Sequence, residues 1–330
     1  MIDALFNNFR KSTVLVIGDV MIDCYLVGKV SRISPEAPVP IMDVQHREYR
    51  LGGAANVALN LKELKASPIL CSVIGNDDKA HIFNDLMKQY ELNSLGIVPS
   101  SERKTTIKYR VIGNKAQMLR IDDEDKCILS EEEREIFLRK INQIIDHQPI
   151  DAIIFEDYDK GLFCEELLQQ VIGIAKKRDI FMAVDPKKRN FHHYQYVNLF
   201  KPNLLELSIG LKKEMSELNI PDLHTLTKEF AIQNHIDLVM TTLSEKGVAI
   251  YDRIHDQFHT HPAFLRNISD VSGAGDTVIS VATLCLIAGQ SAQVSAQIAN
   301  LAGGIVCEYA GVVPIRYQQL KEEILKLFAS

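Results

Sequence analysis

The chain has 330 residues, enough for a large core arranged as roughly two domains or one big α/β domain. Its hydrophobic residues (46%) and charged residues (24%) are those of a soluble globular protein, and a net charge of -6 with no lysine–arginine block excludes nucleic acid as the main partner. The start, MIDALFNNFR, lacks a basic leader with an apolar core, and the longest apolar run, VISVATLCLIAG, is too short to cross a bilayer. No membrane partner is expected, and the six scattered cysteines, without a CxxC pair, read as buried free thiols of a cytoplasmic protein.

In chain order, short β-branched runs alternate with amphipathic stretches, which predicts βαβ units and a mostly parallel sheet. TVLVIGD (residues 13–19) reads as a buried strand ending in a turn. GDVMIDCY then presents Asp19 and Asp23, compact acceptors for sugar hydroxyls or plain caps. SRISPEAP reads as a rigid loop, stiffened by two prolines, that aims Arg32 at an anion. Residues 39–51 and 104–122 are strand-like with no helix between neighbours, and the second holds Gly-Asn between two β runs, a hairpin signal. They predict a small accessory sheet, placed as a lid.

GGAANVALNLKELKA is a helix opened by glycines, with Gly52, Gly53 and Asn56 at its start. The later strands, DAIIFED, DIFMAVDP, NLFKPN and IDLVMTTLS, each end in polar residues. In open α/β sheets ligands bind beyond those ends. FEDYDKG brings Asp157 and Lys160 there, and VDPKKRNF brings Lys187 within reach of a phosphate. KPNLLEL sets Asn203 and Glu206 three apart. That spacing suits a water-coordinated Mg2+ as well as it suits a capping box. TTLSEKGVAIYD is a strand, a polar turn with Gly247 and a second strand, which could line a nucleotide site or be a plain hairpin.

DVSGAGDTVIS (residues 270–280) is the most informative stretch. The N–H groups of Gly273, Ala274 and Gly275 open an apolar helix, where unpartnered donors form an anion site. Asp276 falls in the first turn, either as a cap or as the base for a phosphoryl acceptor. There is no GxxxxGK[ST], GxGxxG, GxSxG or HExxH, and His255, His259 and His261 lack an acid or cysteine partner for zinc.

Taken in order, GGAANVA, KPNLLEL, TTLSEKG and DVSGAGDT resemble the ribokinase-like (PfkB) family of sugar kinases over roughly residues 10–328. Within it, GDVMIDCYLVGKVSRISPEAPVP, DYDKG and DPK are most similar to the heptose 7-phosphate kinases, also found as the kinase half of bifunctional ADP-heptose synthases. The resemblance implies an α/β fold: a central mostly parallel sheet flanked by helices, with a small β-sheet lid formed within residues 20–51 and 104–122. It implies one kinase domain over residues 1–330 without a C-terminal nucleotidyltransferase domain. A homodimer through the lid strands is expected, acting on ATP and a sugar phosphate for ADP-heptose and lipopolysaccharide synthesis.

It also implies roles. Asp276 would deprotonate the anomeric hydroxyl, and Gly273, Ala274 and Gly275 would form the anion hole. Asn203 and Glu206 would organise Mg2+, and Ser244, Gly247, Asn300 and Lys187 would lie along the nucleotide. Asp19, Gly52, Gly53 and Asn56 would hold the sugar, with Arg32, Arg120, Lys160 and Lys187 for its distal phosphate. Asp270 and Ser272 would match a monovalent-cation (K+) site. One departure is EDYDKG, with Glu156 and Asp159 where the family has smaller or neutral residues. The rival readings are a kinase of ribose, fructose, a fructose phosphate or a nucleoside, and a non-catalytic sugar sensor.

Overall fold

Thr13–Gly18 shows how the sheet is built: Val14 and Val16 enter one apolar core, Leu15 and Ile17 the other, and all four are fully buried. A strand buried on both faces reads as a continuous apolar run and belongs in the middle of a parallel sheet. The computed structural model describes residues 2–214 and 219–329.

The chain begins with α1 (Ile2–Phe9), β1 (Thr13–Gly18), β2 (Val20–Ile33), β3 (Pro40–Gly53), α2 (Ala54–Glu63) and β4 (Ser67–Gly75). It continues with α3 (Asp78–Gln89), β5 (Gly96–Ser100), β6 (Ile107–Gly113), β7 (Ala116–Asp123), α4 (Glu131–His147) and β8 (Ala152–Glu156). Then come α5 (Glu165–Lys177), β9 (Phe181–Asp185), β10 (Leu199–Phe200), α6 (Leu204–Leu211), α7 (Ile220–Gln233) and β11 (Leu238–Thr242). A 3-10 turn leads to β12 (Val248–Asp252), β13 (Gln257–His261), α8 (Ala274–Ile287), α9 (Ala292–Val306) and α10 (Tyr317–Ala329).

The large sheet has the order β13-β12-β11-β10-β9-β8-β1-β4-β5. Its pairs are parallel from β5 to β11, and only the β12 and β13 edge is antiparallel. Helices α1, α2, α3, α8, α9 and α10 cover the face of Val14, and α4, α5 and α7 cover that of Leu15. The chain leaves β1 toward β4 on one side, whereas β8 lies on the other, so the strand order reverses between β1 and β8. The crevice outside the carboxyl ends at such a reversal is the place where open α/β sheets bind ligands.

The second sheet has four strands in the order β3-β2-β6-β7. It contains both stretches expected to stand apart from the main sheet. The β6–β7 hairpin turns on Asn114 and Lys115, both with positive φ (52° and 69°), so the two-residue turn sits one position beyond the Gly-Asn signal. That is the geometry right-twisted strands require of a two-residue turn. One sheet expectation needs correcting. Arg32 is not on a loop: antiparallel pairing of β2 with β3 runs on to Ile33 and Pro40 across a register shift at Val30/Arg32, and leaves Arg32 exposed on a strand end. Cys127 is exposed, and the other five cysteines are buried free thiols as expected.

Candidate active site

Helix α8 enters the middle of the protein with Asp276 in its first turn, only 3% exposed. The turn before it is left-handed at Gly273 (φ 81°), and of the three N–H groups expected to form an anion hole that of Ala274 donates to Val271 O at 3.3 Å within the turn. A Cβ at position 273 would stand 2.9 Å from Asn56 Nδ2, so the close approach of α2 also calls for glycine. Asn56 Nδ2 donates to Asp276 Oδ2 at 2.7 Å, and Tyr158 OH donates to Asp276 Oδ1 at 2.7 Å. The next residue, Thr277, donates to Asn60 Oδ1 at 3.0 Å, so two successive turns of α2 are tied to the first turn of α8. Burial pushes the Asp276 carboxyl above its ordinary value, the two donors pull it down, and neighbouring Asp185 raises it again. A carboxylate so placed is buried and held in a fixed direction, and is not an exposed cap.

Beneath it the strand ends of β8 and β9 deliver Glu156 and Asp185. One carboxylate oxygen from each of Glu156, Asp185 and Asp276 lies within 4.8 Å of the others, and all three residues are buried. Lys201 Nζ, itself buried, contacts Asp185 Oδ2 at 2.7 Å, and Lys187 Nζ lies 3.6 Å from Asp185 Oδ1. A Cβ on Gly275 would stand 3.6 Å from both Asp185 Oδ2 and Lys201 Nζ, so the glycine loop forms the roof of this charged floor.

Asn203 and Glu206 form a reciprocal capping box at the start of α6: Asn203 N donates to Glu206 Oε2 and Glu206 N to Asn203 Oδ1, each at 2.8 Å. Glu206 Oε1 accepts from Lys187. Of the two readings open in the sequence, the capping box is the one the structure shows. Lys187 is held between Asp185 and Glu206, and their charges raise its proton affinity although burial opposes it.

The residues expected at the sugar split into two groups. Asp19 is buried and accepts from the N–H groups of Tyr158 (2.9 Å), Lys160 (3.2 Å) and Leu162 (3.3 Å), so it holds the loop after β8 against β1. Burial and the nearby Asp157 push its carboxyl up to about 6, against the pull of those donors. Gly52 and Gly53 close β3 beside it, with Gly53 in the left-handed region (φ 60°) as the helix cap. Lys160 Nζ pairs with Glu124 Oε1 at 2.8 Å, and Glu124 also meets Lys108 at 3.3 Å. Arg120 is exposed and pairs with Asp122 at 2.9 Å, and Arg32 is exposed as well. Asp23 is an ion-pair partner of Arg110.

On the other side of the glycine loop lies a cavity of about 340 Å³, lined by Ser244, Gly247, Gly275, Arg266, Asn300 and Cys307 among others. Asn300 Nδ2 donates to Pro262 O at 2.8 Å. Asp270 accepts from Ser272 N and Gly311 N, each at 2.9 Å; burial works against its charge, but these donors hold it below the ordinary carboxylate value. Of the two unexpected acids, Asp159 pairs with Arg189 at 2.8 Å, whereas Glu156 points inward, wholly buried, with neither carboxylate oxygen hydrogen bonded.

Three site residues have no advance assignment in the sequence: Tyr158, Asp185 and Lys201. Each sits inside a stretch that was singled out for a neighbour (DYDKG, VDP and KPN). Acids and lysines at strand ends were the available signal. Nothing in a single sequence pairs Tyr158 with Asp276, 118 positions away.

Bifunctional protein HldE of Helicobacter pylori (strain Shi470) is 37% identical over 294 residues, covering 89% of this chain and 62% of that protein. Those of Koribacter versatilis (strain Ellin345) and Sulfurimonas denitrificans (strain ATCC 33889 / DSM 1251) are 35% and 38% identical over 97% and 94% of the chain. The chain spans less than two thirds of these relatives, 62–64% of their length. Among solved structures, phosphofructokinase-2 from Escherichia coli in complex with potassium superposes with a TM-score of 0.77 at 17% identity, covering 97% of this chain and 99% of that one. Ribokinase from Thermotoga maritima gives 0.70 at 18% identity, covering 96% and 99%. At such identities the likeness is one of fold, a ribokinase-like α/β sheet. The profile of the pfkB family carbohydrate kinases matches residues 11–316, from β1 to the start of α10, and with it the site described above: the chain belongs to the pfkB carbohydrate kinase family, phosphotransferases that act on a sugar hydroxyl.

Proposed function

We propose that the chain is an ATP-dependent kinase of D-glycero-D-manno-heptose 7-phosphate, acting at the anomeric hydroxyl to give the 1,7-bisphosphate for ADP-heptose and lipopolysaccharide synthesis. The observation that carries a kinase mechanism is Asp276, buried at the mouth of the glycine loop and aimed by Asn56 and Tyr158. The heptose is supported by the segments around Asp19, Lys160 and Lys187, which resemble the heptose 7-phosphate kinases, and by identities of 35–38% to the bifunctional proteins.

Asp276 takes the proton of the acceptor hydroxyl as its oxygen attacks the γ-phosphorus. The new O–P bond forms, the bond from the γ-phosphorus to the bridging oxygen breaks, and ADP departs. The N–H groups at Gly273 and Gly275, and that of Ala274 on exchanging its Val271 O partner, receive the charge of the transferred group, where helix-start donors stabilise it best. Lys187 and Lys201 supply fixed positive charge next to that path. Mg2+, when bound with the nucleotide, neutralises phosphate oxygens, and Asn203 with Glu206 would hold it through water. Ser244, Gly247 and Asn300 line the nucleotide cavity.

Asp19 positions the sugar loop, Gly52 and Gly53 let the sugar approach, and Lys160 is the cation nearest that loop for the distal phosphate. Arg120 and Arg32 are the outer candidates. Asp270 and Ser272 offer a monovalent cation its oxygens. The four-stranded sheet is read as a lid over one kinase unit; its exposed Val44, Leu119 and Ile121 support a homodimer through the lid strands. No helix among the described residues is long and apolar enough to cross a membrane, in line with a cytoplasmic enzyme.

Nucleotide turnover against heptose 7-phosphate, fructose 6-phosphate, ribose and fructose tests the substrate. Turnover dominated by heptose 7-phosphate is expected. Preference for another sugar overturns the heptose while leaving the base and loop in place. Silence on every sugar, with nucleotide still bound, points to a sensor.

A further inference from the structure

Tyr25 and Arg50 lie at the root of the lid sheet and are used by nothing in the phosphoryl-transfer account. Tyr25, on β2, is buried, and the guanidinium groups of Arg50 and Arg110 stand 4.9 and 5.4 Å from the centre of its ring. Such contacts fix a ring and, with it, its hydroxyl. What these side chains hold lies outside the lid. Val312 N donates to the Tyr25 hydroxyl at 3.0 Å, and Arg50 Nη1 donates to Ala310 O at 3.0 Å and to Val312 O at 3.1 Å. Between them Gly311 is left-handed (φ 72°), and a Cβ there would stand 2.7 Å from the Tyr25 hydroxyl and 2.8 Å from Arg50 Nη1. Only glycine lets the segment come so near.

The same segment meets the glycine loop. Gly311 N donates to Asp270 Oδ2 and Ser272 N to Asp270 Oδ1, each at 2.9 Å. A Cβ on Gly273 would stand 3.3 Å from Val312 Cγ1, so the Val312 side chain packs beside the left-handed turn. Ile315 N donates to Asn60 Oδ1 at 2.9 Å, the atom that also accepts from Thr277 in the first turn of α8. Residues 310–315 lie between α9 and α10 and belong to no helix or strand. No ladder of backbone bonds shapes them, so their conformation is set by the side chains that grip them. Tyr25 and Arg50 supply three of those bonds.

We infer that Tyr25 and Arg50 are positioning residues: through residues 310–312 they hold the glycine loop in its working shape. Arg50 lies two positions before Gly52 on β3, so the strand end read as meeting the sugar also sets the loop read as meeting the phosphate. Tyr25 is the platform that keeps Arg50 aimed at the two carbonyls. The inference rests on the reading of the glycine loop as the anion hole, and on nothing about the heptose.

The test measures backbone hydrogen exchange of the full chain, without ligand, by mass spectrometry in the natural chain, Tyr25→Phe, Arg50→Met and Arg50→Lys. Losing one hydrogen bond of ordinary strength shifts a local opening equilibrium about tenfold. In Tyr25→Phe and Arg50→Met, exchange is expected to quicken by about that factor in residues 308–315 and also in residues 270–277. It is expected to stay unchanged in α5, which packs on the opposite face of the large sheet. Arg50→Lys, whose ammonium still donates to both carbonyls, is expected to exchange as the natural chain does. On whichever sugar the panel turns over, Tyr25→Phe should lower kcat about tenfold and change the sugar KM less than about threefold. Should Arg50→Met fail to fold, Tyr25→Phe, which keeps the ring, carries the same expectation. Quickening confined to residues 308–315, or spread evenly through the chain and α5, overturns the role. Exchange is read without substrate, so a silent sugar panel leaves this test standing, and failure here leaves the outcome of the panel untouched.

Discussion

Replacing Tyr158 with phenylalanine removes one of the two donors that hold Asp276 and leaves the ring in place. The backbone N–H of Tyr158 still donates to Asp19, so the loop keeps its anchor. A hydrogen bond to a charged group is worth about 1.5–3 kcal/mol. At about 1.36 kcal/mol per tenfold change, its loss raises the Asp276 carboxyl and disfavours its ionised form by roughly 10–100-fold at a given pH. Burial already pushes that carboxyl up, and Asn56 and the charge of Lys201 remain to pull it down. The base must be ionised to accept a proton, so the acidic limb of the kcat profile moves correspondingly to higher pH. Below the limb, turnover falls roughly 10–100-fold, and well above it turnover returns toward that of the natural chain. Steady-state nucleotide turnover at saturating sugar, measured across the pH range in which the chain stays folded, reads this directly. A limb that does not move, with a uniform loss at every pH, refutes Tyr158 as a donor to the base.

Asp19→Asn tests the other buried carboxyl. In the fold its carboxyl is pushed from 3.8 up to about 6, above the unfolded value, so the acid form stabilises the fold and that stability is lost as pH rises through the interval between them. The natural chain should lose about 3 kcal/mol in unfolding free energy between those limits, and Asp19→Asn should flatten the descent. Denaturant unfolding at pH 4 and pH 7 decides, and equal slopes for the two proteins contradict the assignment. Gly273→Ala should cost about 1–2 kcal/mol in melting experiments for its left-handed backbone. It should also cost a larger share of kcat, because the new Cβ meets the Asn56 amide at 2.9 Å. A stability loss without a kcat loss would show that Asn56 does not position Asp276.

Much of the fold was legible because its signals are local. The β-branched run of β1, buried on both faces, announces a central parallel strand. The glycines before Asp276 mark a helix start, and the left-handed Gly273 is that mark in the backbone. The spacing of Asn203 and Glu206 left a cap and a cation-side carboxylate open, and the cap is what the fold shows. What the chain does not display is pairing at a distance. Tyr158, Asp185 and Lys201 acquire their roles only when the ends of β8, β9 and β10 meet α8. Arg32 was misplaced because the prolines of SRISPEAP suggest a loop, whereas pairing with β3 carries the strand as far as Ile33. Glu156 stands out in sequence as an extra acid, but only folding shows that it turns inward, with neither oxygen hydrogen bonded, close to Asp185 and Asp276.

The most direct test of the account is to incubate the chain with ATP, Mg2+ and heptose 7-phosphate and follow the products by phosphorus magnetic resonance, with Asp276→Asn alongside. The account predicts a second phosphate ester at the anomeric carbon, one ADP per ester, and a rate reduced about 10²–10⁴-fold in Asp276→Asn while nucleotide binding persists. An ester at another hydroxyl, or an Asp276→Asn variant that turns over like the natural chain, would contradict it.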